Sequence, residues 1–353
     1  MRARPAIERL RAYPIGGSRE GKIRLDLNES NYGCPPAVLD ALRTLTPAQI
    51  GRYPEYEPLL QRMAAHYGVT PEQILLTNGA DDGIRSVMQS FIDPGERLIV
   101  TDPSFSVIRL YAEGMGAAVE AVPYGDALAY PVAALAARMR TAPRLVAVVR
   151  PDSPTGSLIS REALCHLLSI DREILVMLDE TYHHFCGDSC LDLLADHPNL
   201  LILHSFSKAW GLAGLRLGLI FGAPTLIETL RKVVPPFSAS AVAVAAAHAA
   251  LGDPDFVTGV VTQVQQEKAR LIRRLTALGL NVRDTATNFV LVDVGHNAPD
   301  VQRQLAARNI LVKSMDHYPQ LAGYLRVAIG RPEELDAFVA ALRHLLATDA
   351  AGR

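Results

Sequence analysis

Disulfide chemistry is the first thing this sequence leaves little room for. Its 353 residues include four cysteines, Cys34, Cys165, Cys186 and Cys190, too few to staple a chain of this size. An excess of charge is also missing. Thirty-five lysines and arginines against 37 acidic residues leave a formal net charge of -2, without the basic surplus that nucleic-acid binders use. Long apolar runs are scarce as well. The most apolar stretch, Ser238 to Leu251, is mostly alanine, contains His248 and is shorter than a bilayer span, so it reads as a packed helix. At the amino end Arg2, Arg4, Glu8, Arg9 and Arg11 interrupt the apolar residues and leave no secretory h-region. No internal repeat or low-complexity linker stands out. The expected setting is cytoplasmic and reducing, with no membrane and no nucleic-acid partner.

What is present is apolar material for a large core: 49% of residues are hydrophobic and 20% charged, which excludes global disorder. The length suits two unequal lobes. Tyr56 to Tyr67 places Leu60, Met63, Ala64 and Tyr67 on one helical face. Ile74 to Thr77 reads as a strand. The helix after it carries Ile84, Val87, Met88 and Phe91, and Asp93-Pro94-Gly95 stops it. Short apolar runs then recur at 97–100, 118–122, 145–149, 174–178, 201–203 and 217–221. Near-continuous apolar runs alternating with helices predict a mostly parallel sheet covered on both faces. Beyond about Ser240 the pattern becomes a long helix through Gln263 to Leu278, strands at 288–292 and 325–329, and a closing helix over Glu333 to Leu346. This predicts a smaller α+β lobe that packs with the first residues of the chain.

In open α/β sheets, ligands gather at the carboxyl ends of the strands. Asp81, Ser153, Asp179, Tyr182 and Lys208 all lie at or just after a strand end. Gly79-Ala80-Asp81-Asp82-Gly83 opens a helix directly after a strand, a natural phosphate cup and equally an ordinary acidic cap. Asp179 is delivered by a buried strand. It suits pairing with a protonated pyridine nitrogen, and taken alone is equally compatible with a magnesium ligand or a structural acid. Tyr182 is placed to donate to a ring oxygen. Arg216 suits bidentate phosphate binding, with Ser205 and Ser207 offering hydroxyls. Lys208, between a strand-like run and a glycine-rich bend, can form a Schiff base with an aldehyde cofactor.

Asp179-Glu180-Thr181-Tyr182, Ser205-Phe206-Ser207-Lys208-Ala209 and Gly214-Leu215-Arg216-Leu217-Gly218 together resemble the signature of fold-type I pyridoxal phosphate enzymes. The whole chain is similar to their histidinol-phosphate aminotransferase branch. Asn28-Glu29, Arg52-Tyr53-Pro54, Pro154-Thr155-Gly156 and Leu325-Arg326 add to the likeness, which spans about Leu25 to Leu346. The resemblance implies a three-layer α/β/α large domain with a mostly parallel seven-stranded sheet plus a smaller α+β domain. We set the bounds at 1–44 for an N-terminal segment, 45–240 for the large domain and 241–353 for the small one. It also implies pyridoxal 5'-phosphate on Lys208, with Asp179 on the ring nitrogen, Tyr182 on the ring hydroxyl and Phe105 stacked on the ring. Ala80, Asp81, Ser205, Ser207 and Arg216 hold the phosphate in that likeness, helped by Tyr53 from the neighbouring subunit of a homodimer. Arg326 clamps the substrate carboxylate, with Asn28 and Tyr13 near the substrate side chain.

Four positions depart from the pattern. Ser153 stands where asparagine usually contacts the ring hydroxyl, Phe105 replaces a tyrosine, and Asn31 replaces a proline. Lys313 occupies the place of an arginine that helps bind a distal phosphate, and offers a point charge without the fork. His183, His184, Cys186 and Cys190 superficially resemble zinc ligands, but similar enzymes often carry an aromatic-Cys pair here without metal, and no metal is expected. Trp210, the single tryptophan, reads as packing beside the lysine loop. The expected activity is amino-group transfer between an amino acid or amino phosphate (histidinol phosphate-like or aromatic) and a 2-oxo acid such as 2-oxoglutarate. The alternatives are a decarboxylase similar to threonine-phosphate decarboxylase, or a specialised biosynthetic enzyme on the same scaffold. A ligand sensor would need an attached DNA-binding module of about 60 residues, for which the sequence shows no spare segment.

Overall fold

The computed structural model describes residues 1–12 and 17–351, so Tyr13 lies outside the described residues. Seven strands form the central sheet: β2 (Ile74–Thr77), β3 (Arg97–Asp102), β4 (Ala118–Pro123), β5 (Leu145–Val149), β6 (Leu175–Asp179), β7 (Leu200–Ser205) and β8 (Gly218–Gly222). Their order is β2-β8-β7-β6-β5-β3-β4. Neighbouring pairs from β4 across to β7 run parallel, and β8 is antiparallel to both β7 and β2. The mostly parallel sheet expected from the apolar runs, with the seven strands that the resemblance implies, is therefore what forms.

Every residue of β5, β6, β7 and β8 is buried. Period-2 alternation sends Val146, Val148, Val176 and Leu178 into one core, and Leu145, Ala147, Leu175 and Met177 into the other. Helices Ala80–Phe91, Ser106–Met115 and Pro224–Arg231 cover the second face through Ile84, Val87, Ile108 and Leu230. Helices Glu57–Tyr67, Val132–Met139 and Arg161–Leu168 cover the first. Each fully buried leucine or valine contributes roughly 1.5–3 kcal/mol relative to exposure. A charge introduced into β5 would therefore have no solvated face to turn to.

The second unit holds β9 (Asn281–Arg283), β10 (Phe289–Asp293), β12 (Lys313–Ser314) and β13 (Tyr324–Ala328), all antiparallel in the order β12-β13-β10-β9. Helix Pro254–Ala277 packs against it. That helix begins well before the expected Gln263 because Asp253 caps the Phe256 N–H and proline occupies its first turn. β1 (Ile23–Arg24) pairs in parallel with β11 (Ile310–Leu311). The start of the chain is thereby sewn to its last third. Among the described residues no helix is long and apolar enough to cross a membrane.

Candidate active site

The carboxyl ends of β2, β3, β5, β6 and β7 open on a cavity of about 770 Å³. Asp179, the last residue of β6, forms part of its wall and is 3% exposed. Burial pushes its carboxyl above the usual range, partly countered by the Thr181 N–H, which donates to Oδ1 at 2.9 Å. No cation pairs with it among the described residues. A buried, unpaired carboxylate of this kind calls for a proton-bearing partner from outside the chain.

Lys208 follows β7 on the Ser205–Gly211 bend. Its Nζ donates to the Leu27 carbonyl at 3.0 Å and lies 5.7 Å from the Tyr182 ring centroid. Tyr182 is buried, and its hydroxyl accepts from Asn28 Nδ2 at 2.8 Å. Asn28, Tyr182, Lys208 and Asp179 thus meet in one place. Gly211, at φ +69, packs so tightly on the Gly33 carbonyl that an added Cβ would sit 1.8 Å from its oxygen. The lysine bend tolerates no side chain there.

Ala80 and Asp81 begin helix Ala80–Phe91, whose N-cap Gly79 offers no side-chain acceptor. Arg216 extends over this turn, reaching Asp81 at 3.2 Å and Ser207 Oγ at 3.3 Å, while Ser205 Oγ accepts from the Ser207 N–H at 3.1 Å. A Cβ on Gly79 would lie 2.4 Å from an Arg216 nitrogen. The result is a cradle of backbone N–H groups, two hydroxyls and one guanidinium, suited to a phosphate. Asp82 serves instead as the local cap, accepting from the Asn78 N–H and pairing with Arg85.

On the far side, Arg326 on β13 donates to Ser153 Oγ at 3.1 Å and to the Asp26 carbonyl at 2.7 Å, over the Phe289 ring. Ser153 therefore engages Arg326. Lys313 on β12 is the cross-strand partner of Arg326. Like charges placed directly opposite are unfavourable, yet neither has a carboxylate within ion-pair distance among the described residues. Phe105 lines the same cavity. Asn31, outside it, bonds Glu334. Tyr53 is not brought to this cavity. It is 75% exposed and stacks on Phe237 at 4.2 Å between centroids.

Residues 25–28 form a seam through the site. Their four successive carbonyls accept from the Ala328 N–H, Arg326, Lys208 and Asn288. This was not legible in the sequence, because main-chain acceptors carry no residue signal. Arg11 and His317 also line the cavity and were missed, since neither belongs to a motif.

The histidine-cysteine group behind the site does not gather as four ligands. His183 stacks on His204 at 3.9 Å and meets His184 in a tilted contact at 3.8 Å, while Cys186 Sγ turns to the carbonyls of His183 and Asp188. Glu180, His183 and His204 do place ligand-type atoms within 4.8 Å of one another. But Glu180 already accepts from Ser189, the Cys190 N–H and His204, with Arg150 at 3.6 Å. Burial and neighbouring imidazoles hold His183 well below its usual range and His184 down to about 3. Packed rings, with His183 and His184 held neutral by burial, around a satisfied carboxylate account for the cluster.

Comparison with known proteins agrees with this geometry. The family model described as aminotransferase class I and II matches residues 20–342. Histidinol-phosphate aminotransferase 2 of Pseudomonas aeruginosa is 33% identical over 368 residues, covering 98% of each chain. The crystal structure of histidinol-phosphate aminotransferase from Sinorhizobium meliloti in complex with pyridoxal-5'-phosphate superposes with a TM-score of 0.90 at 28% identity, covering 98% of each chain. L-threonine-O-3-phosphate decarboxylase from Porphyromonas gingivalis shares the fold at 23% identity, with a TM-score of 0.80, over 91% of this chain and 98% of its own. The chain belongs to the class I and II aminotransferases and is a pyridoxal phosphate-dependent enzyme of that family.

Proposed function

We propose that this aminotransferase takes its amino group from a donor of the histidinol phosphate-like or aromatic kind and passes it to a 2-oxo acid such as 2-oxoglutarate. One observation carries this reading. Arg326 and Lys313, opposed across adjacent strands without acidic partners among the described residues, line the same cavity as Lys208 and Asp179. Two uncompensated cations beside the reactive lysine suit a substrate with an anionic group. The likeness to histidinol-phosphate aminotransferases supports the same choice.

The residues fit the cofactor. Among the described residues Asp179 lacks a cationic partner, Gly79 supplies no side-chain cap, and Asn28 Oδ1 is buried without a hydrogen bond. When bound, pyridoxal phosphate supplies an electron sink for negative charge at the substrate's Cα. Asp179 would keep the ring nitrogen protonated, Tyr182 would face the ring hydroxyl, and Phe105 would cover the ring face. Ala80, Asp81, Ser205, Ser207 and Arg216 would hold the phosphate. Lys208 Nζ would take the proton from the substrate's Cα. Arg326 would grip the carboxylate of the 2-oxo acid or its amino partner, with Lys313 and Asn28 nearer the side chain. Tyr13 is assigned the same neighbourhood by likeness alone.

The exposed Tyr53–Phe237 ring pair supports a homodimer in which Tyr53 serves the neighbouring site. The four cysteines are free thiols, which supports a reducing, cytoplasmic setting. The domain bounds of 1–44, 45–240 and 241–353 stay part of this proposal.

The decisive experiment is the half-reaction. Adding glutamate to the loaded enzyme should convert its visible absorbance to that of the amine form of the cofactor, and Lys208→Ala should not make this conversion. A panel including histidinol phosphate and aromatic amino acids then ranks donors. Carbon dioxide release without that conversion would favour the decarboxylase instead.

A further inference from the structure

Asp152 is a buried acid with no role in the chemistry above. It is fully buried, in the Arg150–Gly156 turn after β5. Three hydroxyls converge on it, two from β3 and the loop after it and one from just after β4. Ser104 Oγ donates to Oδ1 at 2.9 Å, and Thr101 Oγ1 donates to Oδ2 at 3.1 Å, a site shared with the Tyr124 hydroxyl. No cation pairs with it among the described residues. Arg150, two residues away, points instead to Asp188 and Glu180. An unpaired carboxylate in the interior is costly to keep, so its placement needs a reason beyond filling space.

The reason lies in its neighbours. Ser104 precedes Phe105 and Asp152 precedes Ser153, and both Phe105 and Ser153 line the cavity. The turn from 152 to 157 is closed on itself, with the Asp152 N–H donating to the Ser157 carbonyl and the Gly156 N–H to the Asp152 carbonyl. The Asp152 side chain ties that closed turn across to the loop after β3. We propose that Asp152 is a positioning residue, which sets the separation between Phe105 and Ser153 and so fixes the aromatic cover and the Arg326 contact around one cofactor. This rests on the proposed reading that Phe105 lies over the cofactor ring.

The carboxyl group is suited to the task because both of its oxygens can accept, and in the protonated form one of them also donates. An asparagine offers a single acceptor oxygen, so either Ser104 or the Thr101–Tyr124 pair loses its acceptor and faces an N–H donor instead. Burial pushes Asp152 up to about 8 while Tyr124, Ser104 and Thr101 pull it down. Tyr124 and Tyr130, whose rings meet at 5.3 Å, are the titratable groups that face it.

The test compares Asp152→Asn, Ser104→Ala, Thr101→Ala and Phe105→Ala with the wild-type protein. The readouts are the dissociation constant for pyridoxal phosphate, the visible circular dichroism of the bound cofactor, and the melting temperature of the cofactor-free protein. Ser104→Ala and Asp152→Asn should weaken cofactor binding by roughly tenfold and reduce the dichroic band. Thr101→Ala removes a donor to the same carboxylate from within the strand itself. It should lower the melting temperature and leave the band unchanged. If Asp152→Asn fails to fold, the contrast between Ser104→Ala and Thr101→Ala still decides. A wild-type band in Ser104→Ala alongside an altered one in Phe105→Ala overturns the link while sparing the cofactor reading. Equal losses in Ser104→Ala and Thr101→Ala reduce Asp152 to general stability and overturn it too. An unchanged band in Phe105→Ala removes the assignment on which the inference stands.

Discussion

Replacing Lys313 by methionine should make the protein more stable and the enzyme worse. Lys313 faces Arg326 directly across β12 and β13, so their Cβ atoms are about 5 Å apart. With the charged ends roughly 7 Å apart, the repulsion runs from about 0.6 kcal/mol at the dielectric of water to about 2.4 kcal/mol at that of a protein surface. Methionine keeps an apolar stem of similar length and drops the charge. It sacrifices no ion pair, since Lys313 has none among the described residues. The melting temperature should rise by on the order of 1–5 °C at low ionic strength. Near 1 M salt the gain should vanish, because the Debye length falls to about 3 Å. Catalysis should move the other way. Losing one charge-assisted contact costs about 1.5–3 kcal/mol, or roughly 10–150-fold in kcat/KM for a donor with a distal anion. A donor without that anion should be little affected. A lower melting temperature, or unchanged kcat/KM with the phosphorylated donor, would refute the claim that this strand pair holds opposed cations for substrate.

Two further expectations concern other parts of the molecule. Mixing an inactive Lys208→Ala protein with a Tyr53→Phe protein of reduced activity should restore activity through hybrid dimers; no recovery under demonstrated subunit exchange would place Tyr53 outside the site. Asp152, raised to about 8 when folded, holds a proton that the unfolded chain releases near pH 4. Its contribution to stability is therefore full below about pH 4 and is lost as pH rises through about 8. The stability difference between the cofactor-free wild-type protein and Asp152→Asn should shrink across that window in denaturant titrations. A constant difference would show that Asp152 does not carry the proton.

What could be read from the sequence followed from local signal. β5 and β6 were legible because Leu145–Val149 and Leu175–Asp179 are apolar on both faces, a pattern that only a doubly covered strand sustains. Lys208 and Asp179 stood out as candidates because each lies at or just after a strand exit, and Arg216 because glycines flank it on the way into β8. The reversal of β8 left no trace in composition. β1, β11 and β12 contain two residues each, so their pairing is decided by packing and not by propensity. The Asp152 network was invisible for another reason. Thr101, Ser104, Tyr124 and Asp152 are separated by up to 51 positions, and only the β4-β3-β5 order of the sheet brings them together.

The seam at residues 25–28 has a practical consequence for anyone modifying this enzyme. Because Lys208 and Arg326 are held there by main-chain oxygens, exchanging the side chains of this segment leaves the grip unchanged. Changing its length does not: adding or removing one residue shifts the oxygens along the seam and presents the wrong ones to both cations. Length is thus the first constraint on this stretch, while Leu25 in the core and Asn28 on Tyr182 are held by their side chains as well.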